Sequence, residues 1–120
     1  MRRKLPPILA AFALLGFVGA AFGQANSPYS FTTVGFQQMG SLASATPLTV
    51  PGAAKIAEIC VENGAIRYRD DGTAPTAAVG IQVSSSAATS PVCFQYSGPL
   101  SAMQMINSTG TPGVFVAYYR

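Results

Sequence analysis

Lys55-Ile-Ala-Glu-Ile-Cys-Val-Glu-Asn-Gly-Ala-Ile-Arg-Tyr-Arg-Asp70 alternates apolar and polar side chains on both sides of an Asn-Gly pair. Period-two alternation is the pattern of a half-buried strand. Asn63 and Gly64 are the residue types that accept positive φ, as a two-residue type I′ turn requires. The spacing therefore predicts a β-hairpin from Lys55 to Asp70 with its turn at Asn63-Gly64. In that register Val61 faces Ile66, Cys60 faces Arg67, Ile59 faces Tyr68 and Glu58 faces Arg69. Ile59, Val61, Ile66 and Tyr68 then share the core face, while Glu58, Cys60, Arg67 and Arg69 share the other. The opposed Glu58 and Arg69 would form a cross-strand ion pair worth about 0.2–1 kcal/mol, enough to disfavour a register slip.

Outward from this stretch the chain reads as short strands divided by turn signals. A candidate strand covers Tyr29 to Phe36, and a short one spans Pro47 to Val50 before the turn dipeptide Pro51-Gly52. After the hairpin, Asp70, Asp71, Gly72 and Pro75 mark a turn-rich loop in which aspartates bond nearby backbone amides. Val79, Ile81 and Val83 alternate with Gly80 and Gln82, and Val92, Phe94 and Tyr96 alternate with Cys93 and Gln95. Asn107 to Gly113 reads as a further turn, followed by a last strand with Val114, Val116 and Tyr118 on one face. Six or seven such strands predict an all-β fold, a small antiparallel β-sandwich of jelly-roll type.

The N-terminus differs in kind. Arg2, Arg3 and Lys4 precede an apolar run from Leu5 to Val18, and Ala21-Phe22-Gly23 places small residues at −3 and −1 of a cut before Gln24. The run is shorter than the ~20 residues of a comfortable bilayer span. Residues 1–23 are therefore expected to be a helical signal peptide, leaving no stable membrane span after cleavage. Residues 24–46 are expected to be a flexible segment with one strand, and 47–120 the β-sandwich domain. The protein is expected to be exported, to the periplasm or the exterior.

Removal of the signal changes the charge. The chain has seven Lys and Arg against four Asp and Glu. Beyond residue 23, Lys55, Arg67, Arg69 and Arg120 balance Glu58, Glu62, Asp70 and Asp71. A neutral domain lacks the basic footprint of a nucleic-acid binder. It also has little colloidal repulsion, which suits a protein partner or self-association. Two cysteines in an oxidising compartment predict one disulfide, Cys60–Cys93, with both residues on the polar faces of their strands.

The side chains offer little chemistry. With no histidine in the chain, neither a Ser–His–Asp nor a Cys–His arrangement can form. Neither zinc-ligand spacing nor a calcium loop occurs, and there is no phosphate-binding glycine motif. Asp70-Asp71 reads as turn structure rather than as an acid–base pair, and Arg67-Tyr68-Arg69 as a solvated sheet face offset by Glu58 and Glu62. Asn107-Ser108-Thr109 matches the N-glycosylation pattern. No catalytic, cofactor or metal residues are assigned, and an enzyme is not expected.

The run Arg67-Tyr-Arg-Asp-Asp-Gly-Thr-Ala-Pro-Thr-Ala-Ala-Val-Gly80, with Phe94-Gln-Tyr-Ser-Gly98, Leu100-Ser-Ala-Met-Gln-Met-Ile106 and Val116-Ala-Tyr-Tyr-Arg120, resembles a group of small, mostly uncharacterised proteins of tailed bacteriophages and prophages. The resemblance covers roughly residues 47 to 120. It implies a small virion-associated β-sandwich, a capsid decoration or accessory structural subunit without catalytic residues. The expected function is thus a non-enzymatic structural or interaction module. The alternative is an exported binding module for surface glycans or envelope components, with an exposed aromatic platform including Tyr119 or Tyr96.

Overall fold

The computed structural model of the protein describes residues 30–120; the expected signal peptide lies outside them. Six strands form one antiparallel sheet: β1 (Thr33–Met39), β2 (Thr46–Pro47), β3 (Ile56–Arg69), β4 (Ile81–Ser85), β5 (Val92–Tyr96) and β6 (Gln104–Tyr119). A single 3-10 turn at Leu100–Ala102 leads into β6. The fold is all-β and antiparallel, as the alternation predicts. Among the described residues no helix is long and apolar enough to cross a membrane.

The two longest strands organise the rest. β3 and β6 pair antiparallel along nearly their whole lengths, from Ile56↔Tyr119 to Arg69↔Gln104. The first part of β3 also pairs with β5, and its second part with β4. β6 pairs with β1 through its second part and with β2 through its first. Two half-sheets result, β1-β6-β3-β5 and β2-β6-β3-β4, sharing the central pair. Both send side chains into one core that includes Ile59, Val61, Ile66, Met105, Val114 and Val116. The sandwich-like layering thus arises within a single hydrogen-bonded sheet.

The hairpin expected over Lys55–Asp70 does not form. β3 runs straight through Asn63-Gly64, and the turn expected over Asn107–Gly113 lies inside β6. Both residues of the Asn-Gly pair do take positive φ, 58° at Asn63 and 151° at Gly64. Their backbone preference is met by a bend rather than a reversal. Register slips there, between Glu62↔Gly113 and Gly64↔Gly110, and again between Ala65↔Thr109 and Ile66↔Asn107. At each step β6 carries an extra residue, the defining feature of a β-bulge, which bends and twists a ladder.

The core face survives this correction for a geometric reason. A two-residue turn and the positive-φ kink at Asn63-Gly64 both move the inward-facing positions of β3 from odd to even numbers. Ala57, Ile59 and Val61 are buried before the bend and Ile66 after it, with Tyr68 packed against the same core. On β6, Met105 gives way to Val114, Val116 and Tyr118, all buried. Each fully buried aliphatic side chain of this kind contributes about 1.5–3 kcal/mol. The Glu58–Arg69 pair, by contrast, is absent. Glu58 lies opposite Ala117 and Gln95, and Arg69 opposite Gln104.

The flanking elements also depart from their expected bounds. The strand expected over Tyr29–Phe36 is β1 at Thr33–Met39, starting four residues later and ending three later, and it pairs with β6 in the sheet. Only Thr46–Pro47 of the next short strand region pairs. Leu48 is buried nonetheless, and Gln37 holds the segment by accepting the Thr49 N–H at 3.0 Å. The same Gln37 oxygen accepts the hydroxyl of buried Tyr118 at 2.7 Å. Burial pushes the Tyr118 phenol up to about 12. Val79 stays outside β4; Ile81 and Val83 lie opposite the core-face residues Tyr68 and Ile66, but only Val83 packs against the core, and Val79 and Ile81 remain exposed.

The bend has a sharp requirement at its centre. A Cβ on Gly64 would sit 2.5 Å from the Thr109 carbonyl oxygen, and one on Gly110 would sit 3.1 Å from that of Asn63. Gly110 also has φ of 75°. Gly64→Ala is expected to lower the unfolding free energy by about 2 kcal/mol or more, because strained φ and a backbone clash coincide. Gly110→Ala should cost about 1–2 kcal/mol for its left-handed φ. Gly40, where an added Cβ meets nothing within 4 Å, should tolerate alanine to within about 0.5 kcal/mol. Urea denaturation of the three variants measures the order.

Candidate functional site

The distinctive Arg67–Gly80 run ends β3 at Arg69 and continues as a loop over 70–80, held largely by the run's own residues. The Arg67 guanidinium donates to the carbonyls of Ala77 (3.0 Å) and Gly80 (2.8 Å) and to Gln82 Oε1 (2.9 Å). Ser108 of β6 donates to the same Ala77 carbonyl at 3.0 Å. Thr76 accepts the Val79 N–H at 3.0 Å, and Pro75 is buried. Asp71 accepts from Arg69 at 3.2 and 2.5 Å and from the Thr73 N–H at 3.0 Å. Gly72 takes φ of 79° between them.

These bonds settle how the expected turn residues and basic pair are used. Arg67 is engaged by the Ala77 and Gly80 carbonyls and by Gln82, and Arg69 by Asp71; neither bonds Glu58 or Glu62. Asp70 accepts the Tyr96 hydroxyl at 2.8 Å. Burial, and then that bond, raise the Tyr96 phenol to about 12. Tyr68 stacks on Phe94 with ring centroids 5.3 Å apart. Asp70 and Asp71 therefore serve separate partners. Tyr96 is tied to the loop and takes no part in an exposed platform.

Cys60 and Cys93 form the expected disulfide, joining directly opposed residues of β3 and β5 with Cα atoms 4.0 Å apart. The cross-link lies on the outward face, and it is compatible with an exported protein. Glu58 brings a carboxylate oxygen to within 4.8 Å of both sulfurs. With the sulfurs bonded to each other, neither is the thiolate that a metal requires. The Asn107 sequon is no better placed as an acceptor. Asn107 lies inside β6, partly buried, and its amide nitrogen donates to the Gly110 carbonyl at 2.8 Å.

The outward face of the β1-β6-β3-β5 half-sheet carries the least explained chemistry. Its rows are read from the register. Phe36 pairs with Ala117 and Gln38 with Phe115. Tyr119, Ala117 and Phe115 lie opposite Ile56, Glu58 and Cys60, and β5 adds Gln95 and Cys93. Phe36 is 67% exposed and stacks on Phe115 at 6.4 Å. Phe31 is 53% exposed and meets Tyr119 edge to face at 6.3 Å. An apolar strip thus runs outside the sheet, beside Glu58 and Glu62.

Of this strip, sequence reasoning singled out only Tyr119. Its signal was available in β6, where Phe115 and Tyr119 occupy the parity opposite to the core residues Val114, Val116 and Tyr118. Aromatic residues on the solvent side of such a strand are the informative exception to inside–outside patterning. The chain matches no protein-family model, no curated protein and no solved structure.

Two outcomes follow from this chemistry. The bonds from Arg69 and Thr73 hold the Asp71 carboxyl down at about 2, from an ordinary 3.8. Its contribution to stability is therefore complete above the ordinary carboxylate range and is lost as pH falls toward 2. A carbon-detected NMR titration should place the Asp71 midpoint near that low value, and Arg69→Leu should return it toward the ordinary one. Separately, reduction or a Cys60→Ala/Cys93→Ala double variant should cost about 3–4 kcal/mol on the loop-entropy account. Chemical denaturation with and without reductant checks this.

Proposed function

We propose that the protein is a non-enzymatic structural or interaction module, of the virion-accessory kind that the sequence resemblance implies. It acts by packing the outward face of the β1-β6-β3-β5 half-sheet against a repeated protein partner. One observation carries this reading: Phe36 on the sheet face and Phe31 just ahead of β1 are more than half exposed, and each is backed by a second aromatic ring. Aromatic anchors on a rigid support are the side chains that dominate protein interfaces, because they bury much area for little lost entropy. The polar groups of the Arg67–Gly80 loop are used in holding the loop together. The balanced charge beyond residue 23 also favours contact made by packing over long-range steering.

A glycan-binding reading draws on the same place, since Tyr119 and Phe31 stand beside the polar groups of Glu58 and Gln95. A glycan array separates the two readings. Binding to a defined sugar, with no association with protein particles, would favour it.

The protein-partner reading predicts that the exported, disulfide-bonded protein co-elutes with a candidate capsid in gel filtration at micromolar concentration. Phe36→Ser should weaken that association about tenfold or more, as expected of an interface anchor. Because Phe36 is exposed, this change should leave thermal stability nearly unaltered. A strict monomer that ignores particles would overturn the reading.

A further inference from the structure

We propose that the cleft formed by Phe31, Ile56, Glu58, Gln95 and Tyr119 receives a primary ammonium group, the ε-amino group of a lysine presented by the protein partner. This rests on the interaction reading above and gives that face its specificity.

The cleft holds about 180 Å3 at one end of the outward face, enough for the end of one side chain. Phe31 and Tyr119 pack edge to face at an interplanar angle of 66° and both line the cleft. A cation is attracted to the negative face of such a ring. Ile56, directly opposite Tyr119 on β3, supplies an apolar wall for the methylene stem. Glu58 lies one step inward on the same face, and its Oε2 accepts the Tyr119 hydroxyl at 3.4 Å. Gln95, opposite Glu58 on β5, adds an amide oxygen. Apolar stem, aromatic face and carboxylate occur in the order a lysine side chain needs.

Charge selects a cation over the other ligands that could stack here. Among the described residues the one salt bridge is Arg69–Asp71, so Glu58 has no side-chain cation within bonding reach. The charged residues in the outward rows of this half-sheet are Glu58 and Glu62, both acidic. Lys55 and Arg120 flank the cleft in sequence. Each occupies the opposite parity to its outward neighbour, Ile56 or Tyr119, at the end of the sheet. An anion would meet the Glu58 carboxylate that lines the cleft. A neutral sugar could lie on the ring but would leave the Glu58 charge unanswered, and burying an unanswered charge is costly.

The test is an NMR titration of the disulfide-bonded protein with Nα-acetyl-lysine methylamide, at matched ionic strength. Its isosteric norleucine analogue, tetramethylammonium and a methyl pyranoside are titrated in parallel. The expected result is a saturable shift confined to Phe31, Ile56, Gln95 and Tyr119 for the lysine compound, with none for norleucine. Glu58→Gln should weaken lysine binding roughly three- to fivefold. It preserves the shape of the site, and an unchanged unfolding midpoint shows that the fold is intact. Equal binding of norleucine would reduce the cleft to an apolar contact and overturn the proposal. Tighter binding of tetramethylammonium would assign the cleft to a choline-type headgroup instead. Pyranoside binding that survives Glu58→Gln would assign it to a glycan. Absence of any saturable shift would also overturn it. If particle association persists while the ammonium probe fails, the lysine assignment alone falls; if both fail, the interaction reading falls too.

Discussion

The fold depends on two glycines meeting across the middle of its central strand pair. Gly64 and Gly110 are Cα partners on β3 and β6, both with positive φ, at the point where the two longest strands change direction. A ladder of 14 and 16 residues is long for a small domain. Left straight, it would expose one face of β-branched side chains along its whole length. Bending it lets one strand pair serve two half-sheets, so that Ile59 and Val116 from one half and Ile66 and Met105 from the other fill a single core. Covering both halves takes β1, β2, β4 and β5, each short. The bend thus comes before the core in the logic of the structure, because without it the inward residues of the two halves would not converge.

Sequence reasoning found this point and misread its consequence. Asn63-Gly64 signals a need for positive φ, and that need is local, so it is legible in the two residues themselves. Whether positive φ reverses the chain or kinks it depends on what pairs beyond it. In an isolated hairpin, residues 56–62 could pair only with 65–69. In the protein each of these segments finds β6 on one side and β5 or β4 on the other. Two neighbours per strand satisfy more backbone groups than one, and this tertiary gain outweighs a turn preference. The turn signal in Asn107–Gly113 has the same explanation, since its glycines and proline form the other half of the bend. Inside–outside parity on β3 is legible because the kink at Asn63-Gly64 and a two-residue turn shift it alike. The Cys60–Cys93 link was legible because both residues sat on the polar parity of their strands.

The run that looked most like a signature has a structural account. Arg67 reaches across to the Ala77 and Gly80 carbonyls, Asp71 ties Arg69 to Thr73, and Thr76 holds the N–H of Val79. A loop with few apolar anchors needs such bonds to hold one shape, since each ordered residue loses conformational freedom. A distinctive sequence is therefore what one well-ordered loop would require, whether or not a ligand ever touches it. The outward aromatics of β1 and β6 are hard to read from sequence for the converse reason. Phenylalanine in a strand is ordinarily explained by a core, and only the register places Phe36 and Phe115 on the other side.

That placement bears on which surface does the work. The outward face stands on the most constrained part of the molecule, with β3 and β6 behind it, the disulfide tying β3 to β5, and buried Tyr118 fixed to Gln37 beneath. Side chains on such a support lose little further freedom on binding, so more of each contact appears as affinity. A partner that packs on aromatic rings over a stiff sheet, and reads one carboxylate beside them, makes the better use of what this sequence builds.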